Sequence, residues 1–208
     1  MSKVKTAVLL SGGCTTLQNL IDLAAAGELP IEVTVVIASK AGAYGLERAR
    51  QAGIEASELP RKSHPDSASW SAAVNEALAP HAPELVLMAG LIHLWLMPEA
   101  YAGKVMNIHP SLIPAFCGKG MYDLRVHQAV VAAGVKHSGC TVQFADQAYD
   151  TGPIILQRTV PVRFEDTPTD VRDRVQAAER EAYPEAIRLF AAGRLQLDGR
   201  RVRVTEGA

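Results

Sequence analysis

The chain has 208 residues, 48% of them apolar and 21% charged, the usage of an ordinary globular protein rather than a disordered or collagen-like one. Its 21 lysines and arginines nearly balance 22 aspartates and glutamates, so net charge gives no footing for a nucleic acid or a membrane surface as partner. Three widely separated cysteines, Cys14, Cys117 and Cys140, form no C-x-x-C pair, which excludes a zinc ribbon or thioredoxin motif and fits reduced thiols in the cytoplasm.

The N-terminus, Met1 to Leu10, has basic residues and a short apolar run but no signal-peptide cleavage pattern. No apolar stretch approaches the ~18 residues of a membrane span. Val4 to Leu10 is almost continuously apolar, as expected of a strand buried on both faces. Leu17, Leu20, Ile21 and Ala24 recur at helical spacing, and Gly27 stops that helix. Ile31 to Ala38 is a second strand; Gly45 to Ala52 is a helix ended by Gly53, followed by a short strand from Ile54 to Leu59. A polar connection, Arg61 to Ser67, leads into a helix from about Ala68 to Leu78. Glu84 to Ala89 and Lys104 to His109 are further strands, the latter stopped by Pro110. Strands separated by helices of this length predict a parallel sheet with right-handed crossovers.

Beyond Pro110 the texture changes. Pro114 to Gly120 reads as a loop and Tyr122 to Ala133 as a helix. Cys140 to Ala145 and Ile154 to Val162 read as strands. Thr167-Pro168 supplies the cap and first-turn proline of a long helix to about Ala191, with Val171, Val175, Ala178 and Ala182 on its buried face. Leu195 to Val204 folds as a hairpin around Asp198-Gly199. No repeat, low-complexity tract or linker divides the chain, so 1–208 is expected to be one domain, with a first half of 1–103 and a second of 104–208.

Three places carry chemistry. Ser11-Gly12-Gly13-Cys14-Thr15-Thr16 sits at the first strand-to-helix turn, where glycines permit a tight bend and free amides at the helix start can receive an anion. It is neither G-x-G-x-x-G nor a Walker A loop, which argues against dinucleotides and nucleoside triphosphates; a plain tight turn explains it equally well. Asn107 and His109 end an apolar strand two residues apart, so their side chains share a face at the position where ligands gather in open parallel sheets. An amide and an imidazole there can hold an oxyanion and move a proton. Asp150 lies in a turn between two later strands and can orient His109 if the fold brings them together. A metal site built from Cys117, Cys140, His109 and His137 matches no familiar ligand spacing, and none is expected. G-x-S-x-G and H-E-x-x-H are absent.

In combination these stretches resemble the phosphoribosylglycinamide formyltransferase family within the wider folate-dependent formyltransferases. Leu10-Ser-Gly-Gly13, Gly45-Leu-Glu-Arg-Ala-Arg-Gln-Ala-Gly53, Ala89-Gly90, Asn107-Ile-His-Pro-Ser-Leu112 and Asp150-Thr-Gly-Pro-Ile-Ile155 occur in family order over nearly the whole chain, with Glu179 and Tyr183-Pro184 at fitting distances. The resemblance implies an α/β, Rossmann-like fold: a mostly parallel twisted sheet flanked by helices, with antiparallel strands in the C-terminal half. It implies transfer of a formyl group from 10-formyltetrahydrofolate to the amine of phosphoribosylglycinamide, with no metal, by a cytoplasmic enzyme whose partners are those two small molecules, and it leaves room for a homodimer. Carried over by position, Asn107, His109 and Asp150 are catalytic; Gly13, Cys14, Thr15 and Thr16 hold the phosphate and Glu179 the ribose; Ile92, His93, Leu94 and Trp95, with Asn107, contact the folate. Four departures stand out: Cys14-Thr15-Thr16 replaces a familiar Gly-Ser-Asn, His93 stands where an arginine is common, the polar connection near Ala68 lacks an arginine that some members use, and the Pro114 to Tyr122 loop is longer than in the shortest members. Open alternatives are another folate-dependent formyltransferase, a formyltetrahydrofolate hydrolase, and a catalytically silent folate- or phosphate-binding protein.

Overall fold

The computed structural model describes residues 3–13 and 15–206, which divide into two compact units, Met1–Met106 and Asn107–Ala208. In the first unit β1 (Val4–Leu10), β2 (Ile31–Ala38), β3 (Glu55–Glu58) and β4 (Leu85–Met88) lie in the order β3-β2-β1-β4, every pair parallel. Ala7 to Leu10 are at most 1% exposed, which is why β1 is a continuous apolar run without alternation. Helices α1 (Thr15–Ala25), α2 (Tyr44–Gln51) and α3 (Ser67–Leu78) bury residues three and four apart: Leu17 and Leu20, Leu46 and Ala49, Trp70, Val74 and Leu78. The start of α3 is set by Asp66, whose carboxylate accepts the Ser69 amide at 2.8 Å while the Ser69 side chain returns to the Asp66 amide.

Within this unit the chain steps outward from β1 to β3 and then crosses to β4 on the other side of β1. The order therefore reverses between β1 and β4, and the crevice at their carboxyl ends is where open α/β sheets take ligands. Ser11 follows β1 there, and Ala89 to Trp95 follow β4.

The second unit begins with the last three residues of β5 (Val105–His109), followed by α4 (Leu124–Ala133), β6 (His137–Phe144), β7 (Ile154–Pro161), α5 (Pro168–Ala191), β8 (Leu195–Asp198) and β9 (Arg201–Val204). Its strands run in the order β5-β6-β7-β9-β8, with β6–β7 and β8–β9 antiparallel. The expected class, α/β with a mostly parallel sheet and antiparallel strands in the C-terminal half, is the one found. Long α5 packs on β6, β7 and α4 and starts at a capping box between Thr167 and Asp170 with Pro168 in the first turn.

Two boundaries differ by more than one residue from the sequence expectation. Strand β6 begins at His137, three residues before Cys140, because Gly139 pairs closely with β7: a Cβ there would lie 1.9 Å from the Arg158 carbonyl oxygen. Helix α4 starts at Leu124 rather than Tyr122, since Asp123 takes φ 52°, outside the right-handed helical region. Among the described residues no helix is long and apolar enough to cross a membrane.

Candidate active site

The second unit brings Asn107, His109 and Asp150 together. Asn107 and His109 leave β5 on one face, and Asp150 arrives from the β6–β7 connection. That connection is held by Asp146, whose Oδ1 accepts the Ala148 amide at 3.1 Å and the Thr151 hydroxyl at 2.6 Å. Gly152 then passes so close to β6 that a Cβ would meet the Phe144 carbonyl oxygen at 1.8 Å. Asp150 itself sits at φ 56°, a left-handed conformation that aspartate tolerates better than most residues and that is common at functional turns.

The carboxylate of Asp150 is the hub. Its Oδ1 accepts Asn107 Nδ2 at 3.3 Å and Gln143 Nε2 at 3.4 Å; its Oδ2 accepts the Gly118 amide at 2.8 Å and lies 3.5 Å from His109 Nδ1. Side chains of His109 and Asp150 are 5% and 10% exposed, so this pair acts in a medium where hydrogen bonds and charges count for more than in water. The other nitrogen of His109, Nε2, lies 3.0 Å from the Phe116 carbonyl. A carbonyl only accepts, so Nε2 carries a hydrogen, and a ligand oxygen reaching for that hydrogen takes the carbonyl's place. The segment after His109 is pinned by Thr141, whose hydroxyl donates to the Ser111 carbonyl at 2.7 Å and accepts the Ile113 amide at 3.1 Å.

Gln143, the Phe116 carbonyl and the Gly118 amide have no role assigned from the sequence. The one visible signal for Gln143 is an amide in an otherwise buried strand; backbone groups of a loop leave no signal at all.

In the first unit the Ser11 loop and the Ile92 to Trp95 strip meet at the β1/β4 crevice. Ser11 is buried, and its hydroxyl accepts the Ile92 amide at 3.0 Å and pairs with Ser39 at 2.6 Å. Its hydroxyl thus fastens loop to strip. Gly12, Gly13 and Thr15 are exposed and Thr16 half-buried; Cys14 lies outside the described residues. Arg48, to which the sequence assigns no role, donates to the Gly13 carbonyl at 2.9 Å and stacks 4.9 Å over the Tyr44 ring, which puts a cation beside the loop. Ile92, His93 and Leu94 are half-buried. Burial, with Lys40 and Arg61 nearby, lowers the His93 pKa below the ordinary histidine value. The Trp95 side chain is fully buried and donates to Asn75 Oδ1 at 2.9 Å, so its indole packs in the core.

Glu179 stands half-buried on α5, and burial pushes its carboxyl up to about 7, against the opposing pull of Arg180. Burial raises the Cys117 thiol, with the Asp150 carboxylate adding to it, and lifts Cys140 to about 12; neither is an activated nucleophile. Among the described residues no group of three or more His, Cys, Asp or Glu is arranged to hold a metal ion.

The known proteins that this chain resembles are formyl transferases. The family model so described matches residues 4–187. The chain is 38% identical over 196 residues to the phosphoribosylglycinamide formyltransferase of Haemophilus influenzae, covering 93% of this chain and 90% of that one. It is 37% identical over 198 residues to the trifunctional purine biosynthetic protein adenosine-3 of Gallus gallus, covering 94% of this chain but only 19% of that longer protein. The crystal structure of glycinamide ribonucleotide transformylase 1 from Symbiobacterium toebii superposes with a TM-score of 0.92 at 44% identity, over 98% of this chain and 95% of that one. A match running through both units, together with an Asn-His-Asp cluster inside the second, establishes that the chain belongs to the formyl transferase family.

Proposed function

We propose that the chain transfers a formyl group from 10-formyltetrahydrofolate to the amine of phosphoribosylglycinamide, a step of purine biosynthesis, and that residues 1–208 act as one formyltransferase domain. The observation carrying the residue assignment is the convergence of Asn107 and His109 on the Asp150 carboxylate. When bound, the folate supplies a formyl carbon activated by its attachment to N10.

The roles follow from charge. As the amine attacks, negative charge grows on the formyl oxygen, and the Asn107 amide and the His109 Nε2–H donate to it; each such donor is worth on the order of 100-fold in rate. Asp150 orients the His109 ring from the Nδ1 side, supplies its counter-charge when protonated, and receives the proton released by the amine through a water. The new C–N bond replaces the bond to N10, and the proton lost by the amine balances the one N10 gains.

Amides from Gly13 to Thr16 with the hydroxyls of Thr15 and Thr16 would receive the substrate phosphate at the start of α1. Arg48 adds a positive charge beside them. The Glu179 carboxyl would accept from the ribose hydroxyls. The half-buried apolar surfaces of Ile92 and Leu94 suit a flat pteridine, and the His93 ring, whose pKa burial lowers, offers its edge beside them.

Incubation with phosphoribosylglycinamide and 10-formyltetrahydrofolate tests the assignment. Formylated acceptor and tetrahydrofolate should form in equal amounts, and neither without the acceptor. Folate deformylation independent of acceptor would overturn it in favour of a hydrolase, and binding of both ligands without turnover in favour of a silent binding protein.

A further inference from the structure

Strand β6 is buried from Ser138 to Phe144, and Gln143 within it is 1% exposed. A buried primary amide has two donor hydrogens and an acceptor oxygen to satisfy. Its Nε2 lies 3.4 Å from Asp150 Oδ1. An ionised carboxylate only accepts, so the nitrogen end must face Asp150 and Oε1 must face away. There Oε1 has no hydrogen-bond partner among the described residues. A methionine or leucine would fill the same volume without burying a bare oxygen. The amide is therefore kept for the carboxylate it faces, not for the strand it occupies.

Asp150 shows what that contact does. Oδ1 is held from two sides by Asn107 and Gln143, while Oδ2 receives the Gly118 amide and faces His109. Asn107 has a second duty, toward the formyl oxygen, and any turn of its amide in that direction loosens its grip on Oδ1. Gln143 has no such duty.

We propose that Gln143 is a positioning residue for Asp150, holding Oδ1 so that Oδ2 stays on the His109 ring while Asn107 engages the substrate. The inference rests on the assignment of Asn107, His109 and Asp150 given above.

Three substitutions test it in the purified full chain, each matched by thermal melting. Gln143→Met keeps the volume and removes the donor; kcat should fall ~10- to 100-fold, the scale of a hydrogen bond to a charged group, with KM for both substrates within about twofold. Gln143→Glu is nearly isosteric but sets an oxygen against the carboxylate, and should fall further. Gln143→His restores a ring N–H and should recover kcat to within about tenfold of the parent. A wild-type kcat in Gln143→Met, an equal loss in the Met and His variants, or a loss confined to KM would each overturn the inference. Should the Met variant not fold, the Glu and His pair decides alone. His109→Ala and Asp150→Asn run beside them: near-normal turnover in both sinks the underlying assignment, whereas their collapse with an unaffected Gln143→Met sinks only the role of Gln143.

Discussion

Glu179 shows how the burial of one side chain couples stability to pH. An unfolded glutamate titrates near ~4.3, but burial on α5 raises Glu179 to about 7. Between those values the folded chain holds a proton that the unfolded chain has lost. Its contribution is therefore most favourable below ~4.5, declines as pH rises through the window, and is flat above ~7. Glu179→Gln removes this penalty and should stabilise the protein on the order of 2 kcal/mol at pH 8, with little change at pH 4.5, by urea unfolding. If the carboxylate also accepts from the ribose, the same variant should raise the acceptor KM several-fold at pH 8. Unchanged stability across that range would show that Glu179 is better solvated than its burial implies. By sequence alone Glu179 looks like a solvated charge, because helical spacing identifies a face and not its depth.

At the scale of elements, the loop between β1 and α1 depends on how closely α2 approaches. Gly45 donates to the Gly12 carbonyl at 3.1 Å, and a Cβ at Gly45 would stand 2.6 Å from a Leu10 methyl. The Gly45 stretch is thus packing that shapes this loop. If amides from Gly13 to Thr16 receive the phosphate, Cys14→Pro should raise the acceptor KM at least ~10-fold, because proline deletes a donor and fixes the backbone. Cys14→Ala keeps the amide and should stay within about twofold. Steady-state kinetics with each substrate varied separately checks this; a change confined to the folate KM would mean that the two pockets are assigned the wrong way round. The loop itself is legible as a glycine-rich strand-to-helix turn, but the bond that fastens Ser11 is not, since Ile92 is its partner across 81 residues.

At the scale of the whole molecule, a formal charge of −1 and an isoelectric point near 6.6 leave little long-range repulsion between copies. Association should be greatest near pH 6.6 and fall toward pH 8.5 as net negative charge grows, measured by static light scattering at fixed ionic strength. A flat profile would place the control of association in a specific interface instead.

The α/β class, the strand and helix order and the Asn107–His109 pair are legible in the amino-acid sequence by itself, because periodicity and strand-end position are local properties of the chain. The third member of the cluster is not: Asp150 stands 43 residues from Asn107, in a turn whose composition is ordinary. Gln143 and the backbone of Phe116 and Gly118 are hidden for the same reason, and so is the depth of the Trp95 indole. Burial and hydrogen-bond partnership depend on which segments pack together, and no spacing rule encodes contacts that the chain makes only after it has folded back on itself.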